Sequence, residues 1–509
     1  MQNQDVAKIL NRAARILALR GENRYRIRAY QRAAQAVAAL PENIEEIVKQ
    51  NRLQKIEGVG KALAAKIEEI VSTGKLALLE KLEQETTPAG NNKEILLAWA
   101  LAFCQDFLPE LKKLAAVKKV AVTGEMRRRQ ETVQEINFLL VSKDVEATKM
   151  AICRHQQLHR QEWEQYSCRA VHSFGVRLRL DLVVEADYIQ QLWLATGSQE
   201  HVKAVARLVY EKTGLNLLQA LPFANSFSFA TEADIYKLAG LPLIEPELRE
   251  NRGEIAAAQT GELPILIRAE NYKGDLHIHT NWSDGTASIE KMAEKAVEMD
   301  YEYIAITDHS QSLKVARGLS IQRLAEQKAY LAKLQAKYNL RIFCGIEVDI
   351  LDDGSLDAPD EILAQLDVVV ASVHSGFRQS REKLTFRICK AMQNPYVQIL
   401  GHPTGRLLGH RDPYDVNIDE ILRTAKATGT ILEINSSPDR LDITDKIALQ
   451  AKKAGIKMAV NTDAHSPLEM DNIDLGLSVA RRGWLNANDV VNTVPAREIL
   501  DWLHRKRTG

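Results

Sequence analysis

In the C-terminal half of the chain, seven short runs of β-branched and aliphatic residues recur, each running into polar side chains. They lie at 274–280 (GDLHIHT), 303–310 (YIAITDHS), 341–350 (RIFCGIEVDI), 368–375 (VVVASVHS), 397–403 (VQILGHP), 430–436 (TILEINS) and 458–466 (MAVNTDAHS). Runs of this length and composition read as buried strands. Between them lie segments with helical spacing, such as 289–300 and 324–338. Repeated strand–helix alternation predicts a parallel sheet, here closed into an α/β barrel. Loops at the C-terminal ends of barrel strands converge on one mouth, so polar residues there mark a site.

The N-terminal half patterns differently. Residues 21–34 (GENRYRIRAYQRAA) are helix-prone and set Arg24, Arg26, Arg28 and Arg32 among aromatic and small apolar positions. Residues 53–74 (LQKIEGVGKALAAKIEEIVSTG) hold Gly58 and Gly60 just ahead of an amphipathic helix that starts at Lys61. Glycines there let the backbone approach a ligand closely, and the amides of the following helix N-terminus can receive a phosphate. Further on, 120–142 reads as strand, turn, helix start and second strand, and 176–184 (VRLRLDLVV) as a third strand.

Composition adds three constraints. The chain has 509 residues, room for several domains, and its 67 Lys+Arg balance 67 Asp+Glu, so net charge names no partner. Its distribution does: residues 1–75 carry 14 Lys/Arg against 8 Asp/Glu. No apolar run is long enough to span a bilayer, and the start lacks a signal-peptide layout. The five cysteines (104, 153, 168, 344 and 389) form no CxxC pair, which fits a reducing cytoplasm.

The chemistry concentrates at the predicted mouth: His277, His279, Asp284, His309, Glu347, His374, His402, Asp463 and His465. Six of the chain's 12 histidines fall at strand ends, which scattered core or surface histidines would not produce. Imidazole with carboxylate suits Zn, Mn or Fe, and no cysteine is placed to soften the site. Nine ligands exceed the needs of one ion, so two or three metals are expected. Such clusters lower the pKa of bound water and stabilise the attacking and leaving oxygens of a phosphate ester.

The stretches DLHIHTNWSDG, ITDHS, GIEVD, SVHS, GHPTGRLL, LEINSSPDRLD and NTDAHS resemble the polymerase-and-histidinol-phosphatase (PHP) domain. That resemblance implies a distorted seven-stranded barrel holding up to three metals. It implies a first ion on His277, His279, Glu347 and Asp463, and a second on Glu347, His374 and His402 with Glu347 bridging. A third would lie on Asp284, His309 and His465. Mn²⁺ is the first choice on family grounds, with Zn²⁺ or Fe open. Arg406 is a candidate phosphate clamp, since guanidinium pairs bidentately with phosphate oxygens. Its alternative is a plain loop-surface arginine.

The upstream region resembles family X DNA polymerases: a helix-hairpin-helix that grips the DNA backbone, then a nucleotidyltransferase-like palm and thumb. The segments 196–205 and 231–255 look like the thumb and its exit towards the barrel. The palm departs from the family at its metal-binding acids. Glu135 and Asn137 occupy the Asp-x-Asp positions, only Asp181 remains of the acids, and Glu125 replaces the serine after Gly124. Asn137 has no charge with which to bind Mg²⁺, and Glu125 sets an anion where a triphosphate should sit. A second helix-hairpin-helix, expected between the first and the palm, is missing; a short linker, Thr86–Asn92, stands in that interval.

The chain is therefore expected to be multidomain: a helical DNA-binding module at 1–85, a degenerate palm at 93–187, a thumb-like segment at 188–255 and a PHP phosphoesterase barrel at 270–509. The resemblance implies a metal-dependent 3′→5′ exodeoxyribonuclease acting in repair, with abasic-site or 3′-end-cleaning activity open and polymerase activity lost. Gapped, recessed or abasic DNA would be the partner of a cytoplasmic monomer. The alternatives are a small-molecule phosphomonoesterase of histidinol-phosphatase type, a residual polymerase, and a non-enzymatic DNA-binding scaffold.

Overall fold

A computed structural model describes residues 1–19, 22, 24–56, 58–84, 94–219 and 229–508. The linker Thr86–Asn92 and Gly21 lie outside the described residues. The chain divides into two compact units, Met1–Thr260 and Gly261–Gly509, a coarser division than the four expected segments.

In the first unit, helices Asn3–Leu19, Arg24–Ala38, Ile44–Lys49, Lys61–Thr73 and Ala77–Gln84 surround a core that includes Val6, Leu10, Leu17, Ala34, Ile44, Ile67 and Ile70. The turn expected at 58–60 is present. Gly58 has φ +80°, and Gly60 caps Lys61–Thr73 without a side-chain hydrogen bond. A five-stranded mixed sheet follows in the order Val117–Thr123, Ile136–Ser142, Arg177–Val183, Ser167–His172, Leu158–Glu164. The last two form an antiparallel hairpin beyond the three strands the sequence predicted. Only Leu158 of Leu158–Glu164 is buried, and the rest alternate between half-buried and exposed, so the strand offers no apolar run to read. Helices Leu97–Lys112, Val145–Cys153, Tyr188–Thr196, Gln199–Thr213, Glu232–Leu238 and Glu254–Thr260 are the unit's other main helices.

The second unit is the predicted barrel. Seven parallel strands run in chain order: Gly274–Ile278, Tyr303–Ile306, Arg341–Asp349, Val368–Ser372, Ile399–Leu400, Ile431–Asn435 and Met458–Asn461. The first and last strands meet through backbone bonds from His279 to Ala464 (2.8 Å) and from Asp463 to His277 (3.0 Å), which nearly closes the sheet. Every strand is buried along almost its whole length, as expected when helices cover a parallel sheet. Helix Ile499–Thr508 plugs one end, where Ile499 and Leu503 pack against Tyr303, Val368, Ile399 and Ile431. Those four residues begin their strands, so the opposite, C-terminal end is left for the site. Among the described residues, no helix is long and apolar enough to cross a membrane.

Candidate metal centre

All nine predicted ligands converge at the C-terminal strand ends. Glu347, in the third strand, sits at the middle of the group. Its Oε2 is 2.8 Å from His309 Nδ1, 3.4 Å from His277 Nε2 and 3.5 Å from His279 Nε2. Its Oε1 is 3.0 Å from His402 Nε2 and 3.4 Å from His374 Nε2. Asp463 Oδ1 lies 3.1 Å from His279 Nε2 and 3.7 Å from His277 Nε2. Asp284 Oδ1 is 3.4 Å from His465 Nε2 and 3.6 Å from His309 Nε2.

Among the described residues, three groups bring ligand atoms within 4.8 Å of one another: His279, Asp284, His309 and His465; His277, His279 and Glu347; His309, Glu347 and His374. His279 and His309 thus each belong to two groups, whereas the resemblance assigned each to one ion. The rings explain this sharing. His279 stacks on both His309 and His465, with centroids 4.4 and 4.3 Å apart.

The unpaired polar atoms of the site point to cations. His277 Nε2, both nitrogens of His279, His309 Nδ1, Glu347 Oε2 and His402 Nδ1 are buried without a hydrogen-bond partner. Each such atom costs about 1–3 kcal/mol when left unpaired, and four of them, His277 Nε2, His279 Nε2, His309 Nδ1 and Glu347 Oε2, face one another. An ion at their centre would satisfy several at once, so the donor set fits metal.

The charge states divide the site: its carboxylates are ionised, two histidines are held neutral and three take up protons. Burial opposes ionisation of Glu347 and Asp463, yet the surrounding imidazoles hold both well below the ordinary carboxylate range. Burial, with His465 and His309 nearby, pushes His279 down to about 4, and burial and Arg440 lower His402. Burial also disfavours charged His374, but Glu347 and Asp349 raise it to about 9; Asp284 likewise raises His465 to about 10. Burial likewise opposes charge on His277, but Glu433, Glu347 and Asp463 raise it, so the carboxylates keep His277, His374 and His465 protonated, and a metal bound there would displace those protons.

A second ring of residues was not singled out from the sequence. Glu433, fully buried in the sixth strand, accepts from His277 Nδ1 (2.7 Å), Asn461 Nδ2 (2.9 Å), the His402 amide (2.8 Å) and Asn435 Nδ2 (3.2 Å). Asp349 accepts from His374 Nδ1 at 2.5 Å. In each case the carboxylate fixes the tautomer and turns Nε2 inward. The signal was available: a carboxylate at the inward register of a barrel strand. Two ligands also have positive backbone φ, +26° at His402 and +54° at Asp463, a strain typical of functional sites.

Arg406 is placed otherwise than expected. It is buried rather than on a loop surface, and it donates to the backbone carbonyls of Arg440 (2.9 Å from Nε) and Leu441. Arg440 Nη1 is buried with no hydrogen-bond partner, while its Nε lies 3.7 Å from Asp463 Oδ2.

In the first unit, Asn137 and Asp181 lie on neighbouring strands, and Asn137 is in register with Arg179. Asp181 is paired with Arg179 at 3.0 Å, Glu135 is 3.9 Å from Arg169, and Glu125 accepts from the Gln134 amide at 2.7 Å. The first two of the three arginines after Met126 are also engaged. Arg127 pairs with Glu232, and Arg128 pairs with Glu250 at 3.0 Å. Around the glycine turn, Lys61, Arg26 and Arg32 are exposed, Arg26 pairs with Glu22 at 3.2 Å, and Gly58 packs against Arg32. The side chains of Arg24 and Arg28 lie outside the described set.

Comparison with known proteins finds three domain families in the chain. The helix-hairpin-helix domain family matches residues 1–76, the DNA polymerase beta thumb 191–250, and the PHP domain 275–437. A probable phosphatase of Thermoanaerobacter sp. (strain X514) is 33% identical, and 95% of its length is covered by 46% of this chain. The chain belongs to the PHP family. Its relatives include a protein similar over nearly the whole chain, the DNA polymerase/3′-5′ exonuclease PolX of Bacillus subtilis (strain 168), 29% identical over 99% of this chain and 100% of that protein. That alignment runs over 573 positions against the 509 residues here, so PolX carries residues without counterpart in this chain. The chain is thus PolX-like, with helix-hairpin-helix and thumb domains preceding its PHP barrel.

Proposed function

We propose that the PHP barrel is a metal-dependent DNA phosphodiesterase acting 3′→5′ in repair, while the palm holds structure without polymerising. Convergence of the nine ligand side chains around Glu347 carries this reading. His277, His279, Glu347 and Asp463, with Glu347, His374 and His402, and Asp284, His309 and His465, would hold up to three ions, Mn²⁺ first among candidates. Metals bound there supply Lewis acidity and an activated water for attack at phosphorus. The chain's own residues set the stage. Glu433 and Asp349 orient His277 and His374, burial excludes bulk water, and Arg440 Nη1 is available to a phosphate oxygen. Arg406 acts through Arg440 by holding its carbonyl.

The four segments 1–85, 93–187, 188–255 and 270–509 are proposed as DNA-binding module, degenerate palm, thumb and phosphoesterase. In the palm, pairing of Asp181 with Arg179 and replacement of a metal-binding acid by Asn137 support loss of nucleotidyl transfer. The length difference from PolX is consistent with a missing second hairpin.

The test is turnover of a 5′-labelled, 3′-recessed duplex beside p-nitrophenyl phosphate, both with Mn²⁺. A ladder shortening from the 3′ end is expected, and His374→Ala or Asp463→Ala should abolish it while DNA binding persists. The rival reading, a small-molecule phosphomonoesterase, is favoured by the probable phosphatases of Thermoanaerobacter and Acetivibrio thermocellus among the relatives. Cleavage of the small ester alone would select it.

A further inference from the structure

The loop 311–318 leaves the barrel after His309 and returns at Leu319, whose amide donates to the His309 carbonyl at 2.8 Å. Its limbs close because residue 318 is glycine: a β-carbon there would lie 1.8 Å from the Ser310 carbonyl oxygen. The outgoing limb is fixed by Ser312, whose amide donates to Asp357 and whose hydroxyl donates to Asp349, each at 2.6 Å. Asp349 is the carboxylate that also orients His374. The returning limb is held by Arg323, which donates to the Arg317 carbonyl at 3.1 Å and to the Trp282 carbonyl, and lies 6.0 Å from the Trp282 ring centroid.

A loop tied down at this many points nevertheless holds Val315 out 90% exposed, between exposed Lys314 and Arg317. A lone exposed valine means little on a protein surface. An apolar tip flanked by two cations and anchored beside a ligand cluster is a different object. It matches a nucleotide chain, whose phosphates take the cations and whose bases and sugars take the apolar surface. A small ester held within the cluster would have no use for it.

We infer that this loop, joined to Trp282 through Arg323, grips the DNA strand beside the phosphodiester being cut. The inference rests on the phosphodiesterase reading above and names the surface that separates a DNA substrate from a small one. The experiment uses the full chain with Mn²⁺, a labelled single-stranded oligonucleotide and p-nitrophenyl phosphate. Its variants are the Lys314→Ala/Arg317→Ala pair and Val315→Asp. For the double variant, KM for the oligonucleotide is expected to rise about tenfold. Its log–log salt dependence should flatten by about 1.4, roughly 0.7 for each single-strand phosphate that the variant no longer neutralises. Val315→Asp should raise the same KM, and p-nitrophenyl phosphate turnover should stay within about twofold for both variants. An unchanged KM and salt slope beside a wild-type protein that cuts DNA overturns the loop alone. Parallel loss of small-ester turnover overturns it too, by showing that the loop supports the centre instead. A wild-type protein that cuts only the small ester removes the DNA reading itself, and the loop's role with it.

Discussion

Replacing Glu433 by Gln keeps the size of the side chain and removes one acceptor edge. In the native barrel the carboxylate receives four donors: His277 Nδ1 and Asn461 Nδ2 on Oε1, the His402 amide and Asn435 Nδ2 on Oε2. A glutamine amide has one oxygen and one NH₂ group. Whichever way it turns, its NH₂ faces two donors in a fully buried place. Hydrogen bonds to a charged acceptor contribute about 1.5–3 kcal/mol each, so two broken bonds cost on the order of 3–6 kcal/mol. Either orientation also disturbs a ligand. With NH₂ towards Oε1's place, His277 loses the partner that fixes its tautomer; with NH₂ towards Oε2's place, the His402 backbone does. Loss of such an outer partner weakens metal binding by about 10–100-fold. The assay is metal content per chain after desalting, followed by Mn²⁺ titration of hydrolysis and a thermal melt. Less bound metal, a higher Mn²⁺ requirement and a lower melting temperature are expected, with Glu433→Asp intermediate because it retains the charge. Full metal content with an unchanged melt would refute the claim that Glu433 orients the centre.

Asp181→Ala should leave DNA hydrolysis unchanged, since Arg179 already engages that carboxylate and Asn137 cannot replace its metal-binding partner; primer extension by the wild-type chain would contradict this. Neutralising Arg26 and Arg32, both exposed in the helical module, should weaken DNA binding and flatten its salt dependence by up to about 1.8 on duplex, as read by fluorescence anisotropy. His172 gives a pH prediction. Burial, reinforced by His155, His159 and Arg12, lowers it to about 3, while its Nδ1 accepts from the Phe174 amide and its Nε2 faces Gln157 Oε1. The folded ring stays neutral where the unfolded one takes up a proton, so stability should fall as pH drops from 6.5 towards 3, by at most about 5 kcal/mol. His172→Gln should flatten the pH dependence of urea unfolding over that window; an equal slope in the variant would remove His172 as its source.

The barrel could be read from the chain because its strands are buried on both faces. They therefore appear as continuous runs such as VVVAS at 368–372, with no alternation to confuse them with loops. The hairpin at 158–172 escaped for the opposite reason. Its first strand, LHRQEWE, faces solvent at every second position, and its charges mask the period-two signal.

Legibility of the site divides along a physical line. Ligands declare themselves because His, Asp and Glu at the ends of apolar runs need a reason to be there. His277, Glu347 and Asp463 are nearly or fully buried with ionisable groups turned on one another, an arrangement that fits a bound ion. Residues that act through the ligands leave no such trace. Glu433 looks like one more polar residue in LEINS until the folded barrel shows it touching both His277 and His402. The two arginines make the same point. Sequence favours Arg406, which sits in the ligand-bearing stretch GHPTGR. Folding sets that guanidinium on the carbonyls of Arg440 and Leu441 and leaves the unpaired donor on Arg440, 34 residues along the chain from Arg406. Which of two cations keeps an unpaired donor beside the cluster depends on where backbone carbonyls fall, and only the closed barrel decides that.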